Sequence, residues 1–349
     1  MRKERVNGKS FGWVEGAAYT RTPERAADKL SREMLKSSLY FLGLVVWALL
    51  PVADASAARS LSLPPGTQAI LEHIYSGRSD LAIPEAESLQ KEQPSHPLGY
   101  LLEAEARWWE VWCESAEYKY GMTMPRHKEK QPSDQQYLGL TTKAESLAMA
   151  SLARNETADM HFYAGMAHAQ AARMYSLRGE NRATAREGVR GREHLLRALE
   201  LDPSLSDADL GLGLYNYYVD TLSTIARVLR FFMGIPGGSK QEGIEQLRQA
   251  MEHGQLTQAE ARFYLAINLH NYDQKYEEAL RVITPLVAKY PENPIFLLAR
   301  GDLFGKLGRK PQAIADYRAA VKGQFASAEC RERVEQLARE ALAAQGAEF

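Results

Sequence analysis

Histidine, cysteine, serine and acidic side chains most often carry catalysis or hold a metal ion, and in this sequence they form no recognisable constellation. The eight histidines are scattered, and neither a His-x-x-Glu-His-like nor a Gly-x-Ser-x-Gly motif occurs. The glycine-rich segment 234–238 precedes Lys240 but lacks the GxxxxGK[ST] spacing of a phosphate-binding loop. The sequence therefore predicts no enzyme, no catalytic residue and no cofactor.

Two pairs of residues, His161 with His168 and Cys113 with Cys330, are of types that bind metal ions, and the cysteines could also form a disulfide. His161 and His168 are seven residues apart on one face of a predicted helix, but no third ligand occurs at a matching spacing, so no metal site is predicted. Cys113 and Cys330 are too far apart for a metal-binding spacing. A disulfide between them would need an oxidising compartment, and their separation favours two unpaired thiols.

The composition is that of a globular protein with ample length for a sizeable core. The chain has 349 residues, of which 45% are hydrophobic and 25% charged. Its formal net charge of −1 argues against nucleic-acid binding as the main task.

The first part of the sequence indicates export. Residues 39–53 form an uncharged apolar run that is shorter than the roughly 20 residues of a membrane-spanning helix. Lys36 precedes the run and small residues follow it, which is typical of a secretory signal peptide over 34–57 with Ala57 as the last residue removed. We therefore expect a periplasmic or extracellular protein. The alternative is a chain anchored by an uncleaved 39–53 segment.

The residues ahead of this signal are polar and show no helical stripe. Because Met34 begins a normal-looking signal peptide, we interpret residues 1–33 as a gene-model extension or a disordered segment.

A repeated pattern organises the remainder of the chain, and it is clearest between Glu260 and Gly323. Within a 34-residue unit, small or apolar residues recur at offsets 20, 24 and 27, as in Ala279, Ile283 and Leu286 and again in Ala313, Tyr317 and Ala320. The residue at offset 20 must be small so that the neighbouring helix can approach. The other two lie further along the same helical face.

This pattern resembles the tetratricopeptide repeat (TPR), a helix–turn–helix unit of that length. The resemblance implies an all-α fold, a TPR-like α-solenoid of antiparallel helix pairs in which each pair covers the apolar face of the next. Divergent N-terminal repeats are predicted over 58–178, central repeats over 179–254, and regular C-terminal repeats with a capping helix over 255–349. The residues at offset 20 are Ala82, Gly191, Gly243, Ala279 and Ala313.

Two N-terminal segments depart from the regular pattern. Residues 99–118 predict a long helix whose Trp108 and Trp112 share one face. We expect these rings to fill a groove between repeats, and the alternative is a ligand-facing aromatic patch. Residues 119–134 contain glycine, prolines and basic residues and predict a solvent-exposed loop.

Residues 210–251 contain a glycine-bearing aromatic helix, an apolar segment and a glycine-rich turn. This order is similar to a segment of the tetratricopeptide repeat domain 39 family, although the turn lacks the acidic residue expected there. The resemblance implies a scaffold or adaptor, with one extra apolar helix inserted near 220–233.

We therefore predict an exported scaffold that binds a peptide or partner protein in the cell envelope. Ligands of such scaffolds are often held by polar and aromatic residues of the first helix of each pair, and the candidates by position are Asn216, Tyr217, Asn268, Asn271 and Arg300. The alternative is a membrane-associated carrier of a lipid or small hydrophobe, with apolar or membrane contact through Leu229, Phe231 and Phe232.

Overall fold

A computed structural model describes residues 61–126, 129–223, 227, 230 and 234–349. All of them belong to one compact unit, Ala58–Phe349. The predictions for residues 1–60, including the signal peptide, lie outside the described residues. So do most of the inserted apolar helix and all three of Leu229, Phe231 and Phe232.

The described ranges contain thirteen α-helices and one two-stranded sheet. The N-terminal helices are α1 (Thr67–Tyr75), α2 (Ser79–Glu92), α3 (Leu98–Glu114), α4 (Pro132–Leu152), α5 (Ala158–Leu177) and α6 (Asn181–Leu201). The C-terminal helices are α7 (Ala208–Asp220), α8 (Lys240–His253), α9 (Gln258–Asn271), α10 (Tyr276–Lys289), α11 (Pro294–Lys306), α12 (Lys310–Val321) and α13 (Ala328–Gln345). Strands β1 (Ala116–Tyr118) and β2 (Thr123–Pro125) follow α3.

Each helix packs against the next along the chain, which confirms the predicted all-α, TPR-like solenoid. The small residues at offset 20 are buried where the two helices of a pair cross. The side chains of Ala82, Ala279 and Ala313 are fully covered, as is Tyr317 one turn beyond Ala313.

Helices α7 and α8 approach closely through two glycines, Gly213 and Gly243. A Cβ atom added at Gly243 would lie 2.7 Å from the backbone oxygen of Gly213 and 2.7 Å from the backbone nitrogen of Tyr217. Backbone atoms cannot yield as a flexible side chain would, so this crossing tolerates only a hydrogen at Gly243.

The segment after α3 is only in part the predicted solvent-exposed loop. α3 ends at Glu114, and β1 and β2 pair as an antiparallel hairpin in which Ala116 lies opposite Pro125. The hairpin packs on α3, α11 and α13, and Thr123 is fully buried. The prediction is wrong for the part that pairs as β2, whereas Tyr120 at the hairpin tip and residues 129–133 are exposed as expected. Glycine and proline mark a turn but do not reveal whether tertiary contacts cover it.

The two cysteines are joined, which contradicts the expectation of unpaired thiols. Cys113 near the end of α3 and Cys330 in α13 form a disulfide with a Cα–Cα distance of 5.5 Å. Sequence separation misled the prediction because α3 packs directly against α13, although the two helices are more than 200 residues apart in the sequence.

No helix among the described residues is long and apolar enough to cross a membrane.

We expect Gly243→Ala to lower the free energy of unfolding by about 1–3 kcal/mol, because the added methyl group meets backbone of α7. Gly139→Ala in α4 is the matched control, since a Cβ atom there has nothing within 4 Å. Ala is favoured over Gly inside a helix, so this control should be neutral or more stable by up to about 1 kcal/mol. Urea denaturation followed by circular dichroism measures both, and equal stabilities would contradict the close crossing.

Candidate partner-binding surface

The inner face of the C-terminal repeats is occupied by the chain's own helix α3. The ring of Trp109 packs edge-on against Phe263 of α9 and Phe296 of α11, with centroid distances of 5.0 and 5.4 Å. The indole nitrogen of Trp108 donates to the hydroxyl of Tyr264 at 3.0 Å. Both indoles are buried, as is Trp112, so the structure confirms that the tryptophans fill a groove between repeats.

A buried arginine joins three helices at this face. Arg173 of α5 donates to Glu105 of α3 and, at 2.7 Å, to Glu260 of α9. Its guanidinium also lies over the ring of Trp108, 4.5 Å from the centroid. Two carboxylates share this one arginine, so burial and the neighbouring charge of Glu105 raise the pKa of Glu260 to about 8. The groups thus form a satisfied polar core rather than an open binding site.

The hairpin covers the next part of the same face. The backbone nitrogen of Thr123 donates to Asp302 of α11 at 2.6 Å, and the hydroxyl of Tyr317 donates to the other carboxylate oxygen at 3.0 Å. Burial raises the pKa of Asp302 to about 7. The Lys306 ammonium donates to the carbonyl of Tyr120 at the hairpin tip. Side chains of α11 that could face a ligand therefore contact the protein itself.

Four of the five candidate peptide-binding residues lie in the carboxyl-terminal parts of α7 and α9, and two of them, Tyr217 and Asn268, contact each other. The hydroxyl of Tyr217 donates to the backbone oxygen of Asn268 at 3.1 Å, and both residues are buried. Asn216 is also buried and donates to Gln246 at 2.8 Å. Asn271 is half-buried and its amide contacts the sulfur of Met124 in the hairpin. Most of these side chains are therefore buried and bonded within the protein, and they are not accessible to a ligand.

Arg300 lies apart from this group. Its guanidinium makes two hydrogen bonds of 2.7 Å with the carboxylate of Asp316 and stacks over Phe304. This bidentate pair occupies the guanidinium N–H groups that would otherwise bind a ligand carboxylate.

The exposed part of the cluster is a pair of tyrosines, Tyr218 and Tyr272, which we call the tyrosine patch. Their ring centroids are 6.1 Å apart, and 36% of Tyr218 and 51% of Tyr272 is exposed. The hydroxyl of Tyr218 donates to the side-chain oxygen of Asn268 at 3.0 Å, which orients the ring. Sequence reasoning missed both residues, because the Tyr217–Tyr218 pair does not itself reveal which ring is buried.

Three histidines of α5 and α6 lie close together. His194 lies against both predicted histidines, 2.9 Å from His161 between their Nδ1 atoms and stacked on His168 at 5.8 Å. Burial, together with the charges of His161 and His168, lowers the pKa of His194 to about 4. In the part of the chain that the structure describes, no group of three His, Cys, Asp or Glu side chains is placed to hold a metal ion.

Glu260 makes a pH-dependent contribution to the free energy of unfolding, and Glu260→Gln should remove it. The pKa of Glu260 is raised above its unfolded value, so its contribution is complete below about pH 4 and is lost as the pH rises towards 8. We expect the free energy of unfolding of E260Q, relative to the unsubstituted protein, to increase between pH 5 and 8 by up to about 1.4 kcal/mol per pH unit. Denaturant titrations across that range measure the difference. Two curves that run parallel would show that Glu260 does not take up a proton on folding.

Comparison with known proteins agrees with this architecture. Residues 264–329 match the family model of the tetratricopeptide repeat, from within α9 to the beginning of α13. No curated protein matches the chain. The match begins beyond residues 210–251, so the narrower resemblance to the tetratricopeptide repeat domain 39 family stays a prediction. The chain is a tetratricopeptide repeat-containing protein, and such repeats generally mediate contacts between proteins.

Proposed function

We propose that this protein is an exported scaffold that binds a partner protein in the cell envelope without catalysis. The observation that carries the proposal is the tyrosine patch, an exposed aromatic pair at the end of a repeat face that is otherwise covered by α3 and the hairpin. Tyrosine rings combine apolar area with a polar hydroxyl, and they are enriched where proteins meet.

The position of the patch also supports this function. The amide of Asn271 contacts Met124 of the hairpin, whereas Tyr272, the next residue, is half-exposed. The patch therefore begins where the hairpin's coverage ends. A partner segment placed there would contact the ring of Tyr218, which is already oriented by Asn268, and this reduces the entropy lost on binding.

Two observations support export. The sequence of residues 34–57 has the charge, apolar core and small-residue exit of a signal peptide. The Cys113–Cys330 disulfide favours an oxidising compartment, because cytosolic reductants keep most thiols reduced.

Expression of the full sequence in a bacterial host tests the export step. We expect the protein recovered from the periplasm or medium to begin at Ala58 by intact-mass spectrometry. We also expect both cysteines to resist alkylation until a reductant is added. A chain that stays in the cytoplasm with residues 39–53 and two free thiols would contradict export.

Partner binding should depend on the tyrosine patch. We expect the double variant Tyr218→Ser, Tyr272→Ser to lose most of a partner that crosslinks to the unsubstituted protein in an envelope extract, because both exposed rings are removed. Phe349→Ser is the matched control, since Phe349 has the same 51% exposure as Tyr272 but lies at the carboxyl terminus. Quantitative mass spectrometry of the crosslinked products gives the ratio. Equal recovery with all three proteins would place the partner elsewhere.

A further inference from the structure

A second surface feature lies on the opposite side of α9 from α3. Helices α8, α9 and α10 enclose an open cleft of about 290 Å³, lined by Arg248, Met251, Arg262, Glu278, Arg281 and Val282. Arg262 is two residues from both Glu260 and Tyr264, which is about 200° round the helix from the side chains that contact Arg173 and Trp108. The cleft is therefore separate from the covered inner face and from the tyrosine patch.

The positive charge of this cleft is only partly balanced. Arg248 pairs with the carboxylate of Glu278. Among the described residues, no carboxylate lies within 4.0 Å of the guanidinium of Arg262 or Arg281. Arg262 is half-buried, and one of its nitrogens donates to the backbone oxygen of Val282 at 3.2 Å. Two guanidinium groups thus line the cleft without a paired carboxylate.

The structure also indicates which anion fits. Glu278 pairs with Arg248 at the cleft wall, which shows that the cleft accommodates a carboxylate next to a guanidinium group. A guanidinium presents a planar set of N–H donors that matches a carboxylate in a bidentate arrangement. Buried Met251 and Val282 provide an apolar wall for the methylene stem of an acidic side chain. The volume suits one or two side chains rather than a folded element.

We propose that the cleft binds glutamate or aspartate side chains on an acidic segment of the partner protein. The inference rests on the proposed scaffold function and names the chemistry of the partner. Burial lowers the pKa of Arg262, with the charge of Glu252 opposing that effect, so a bound carboxylate would also relieve the cost of burying this cation.

Fluorescence anisotropy with a dye-labelled hexaglutamate peptide tests the proposal on the disulfide-bonded mature chain. We expect saturable binding that weakens as salt is raised, because the contacts are largely electrostatic. The double variant Arg262→Gln, Arg281→Gln should weaken binding by about tenfold or more, since each arginine makes charge-assisted hydrogen bonds to the peptide.

Two further variants distinguish a specific site from general charge attraction. Arg154→Gln, Arg182→Gln removes the same charge from exposed positions outside the cleft and should leave the affinity unchanged. Glu278→Gln removes the internal carboxylate that competes for Arg248 and should tighten binding several-fold. Circular dichroism of each variant confirms that the helices are retained.

Three results of the peptide assay would overturn the proposal. They are no saturable peptide binding at low salt, an equal loss of affinity in the two double arginine variants, and saturation of the cleft by inorganic phosphate with no binding of the peptide. Each of these results would show that the cleft does not bind an acidic segment. The scaffold proposal would be unaffected, because the crosslinking experiment tests it separately. Conversely, a partner that needs the tyrosine patch but crosslinks equally to the Arg262→Gln, Arg281→Gln protein would exclude this cleft alone.

Discussion

A helix buried on almost every side must find a partner inside the protein for each polar group that it carries, and α3 imposes this constraint on the whole molecule. It contacts α1, α2, α4, α5 and α13 together with β2. Its buried Glu105 accepts from Arg173 and from the indole of Trp109, and its Cys113 is bonded to α13. Elements far apart in sequence are held together because they jointly supply partners for the buried polar groups of this one helix.

The same constraint determines which surfaces remain for a partner. In a stack of helix pairs, the inner face is the natural place for a ligand. Here α3 and the hairpin occupy it through Trp109, Thr123 and Met124, so most polar residues of α9 and α11 have partners within the chain. Among the described residues, the exposed surfaces that we propose for recognition are the tyrosine patch and the arginine-lined cleft on the opposite side of α9.

Several features were predictable because they depend on neighbours in the sequence. The spacing of Ala279, Ile283 and Leu286 identified one helical face, and all three are buried where α9 meets α10. The glycine at 243 marked a close crossing and makes one. The candidate Arg300 shows the limit of this reasoning, since its position in the repeat suggested a ligand contact while its carboxylate partner, Asp316, lies on the next helix.

The sequence by itself determined the unit of architecture, because the periodicity of small and apolar residues reflects packing between helices that are adjacent in the chain. Only the tertiary structure decided that α3 contacts α13, that Cys113 bonds to Cys330 and that the hairpin packs against α3, α11 and α13. The physical reason is that small changes in the angle between successive helix pairs accumulate along a solenoid. No short sequence pattern encodes that sum, and it brings α3 into contact with helices more than a hundred residues away.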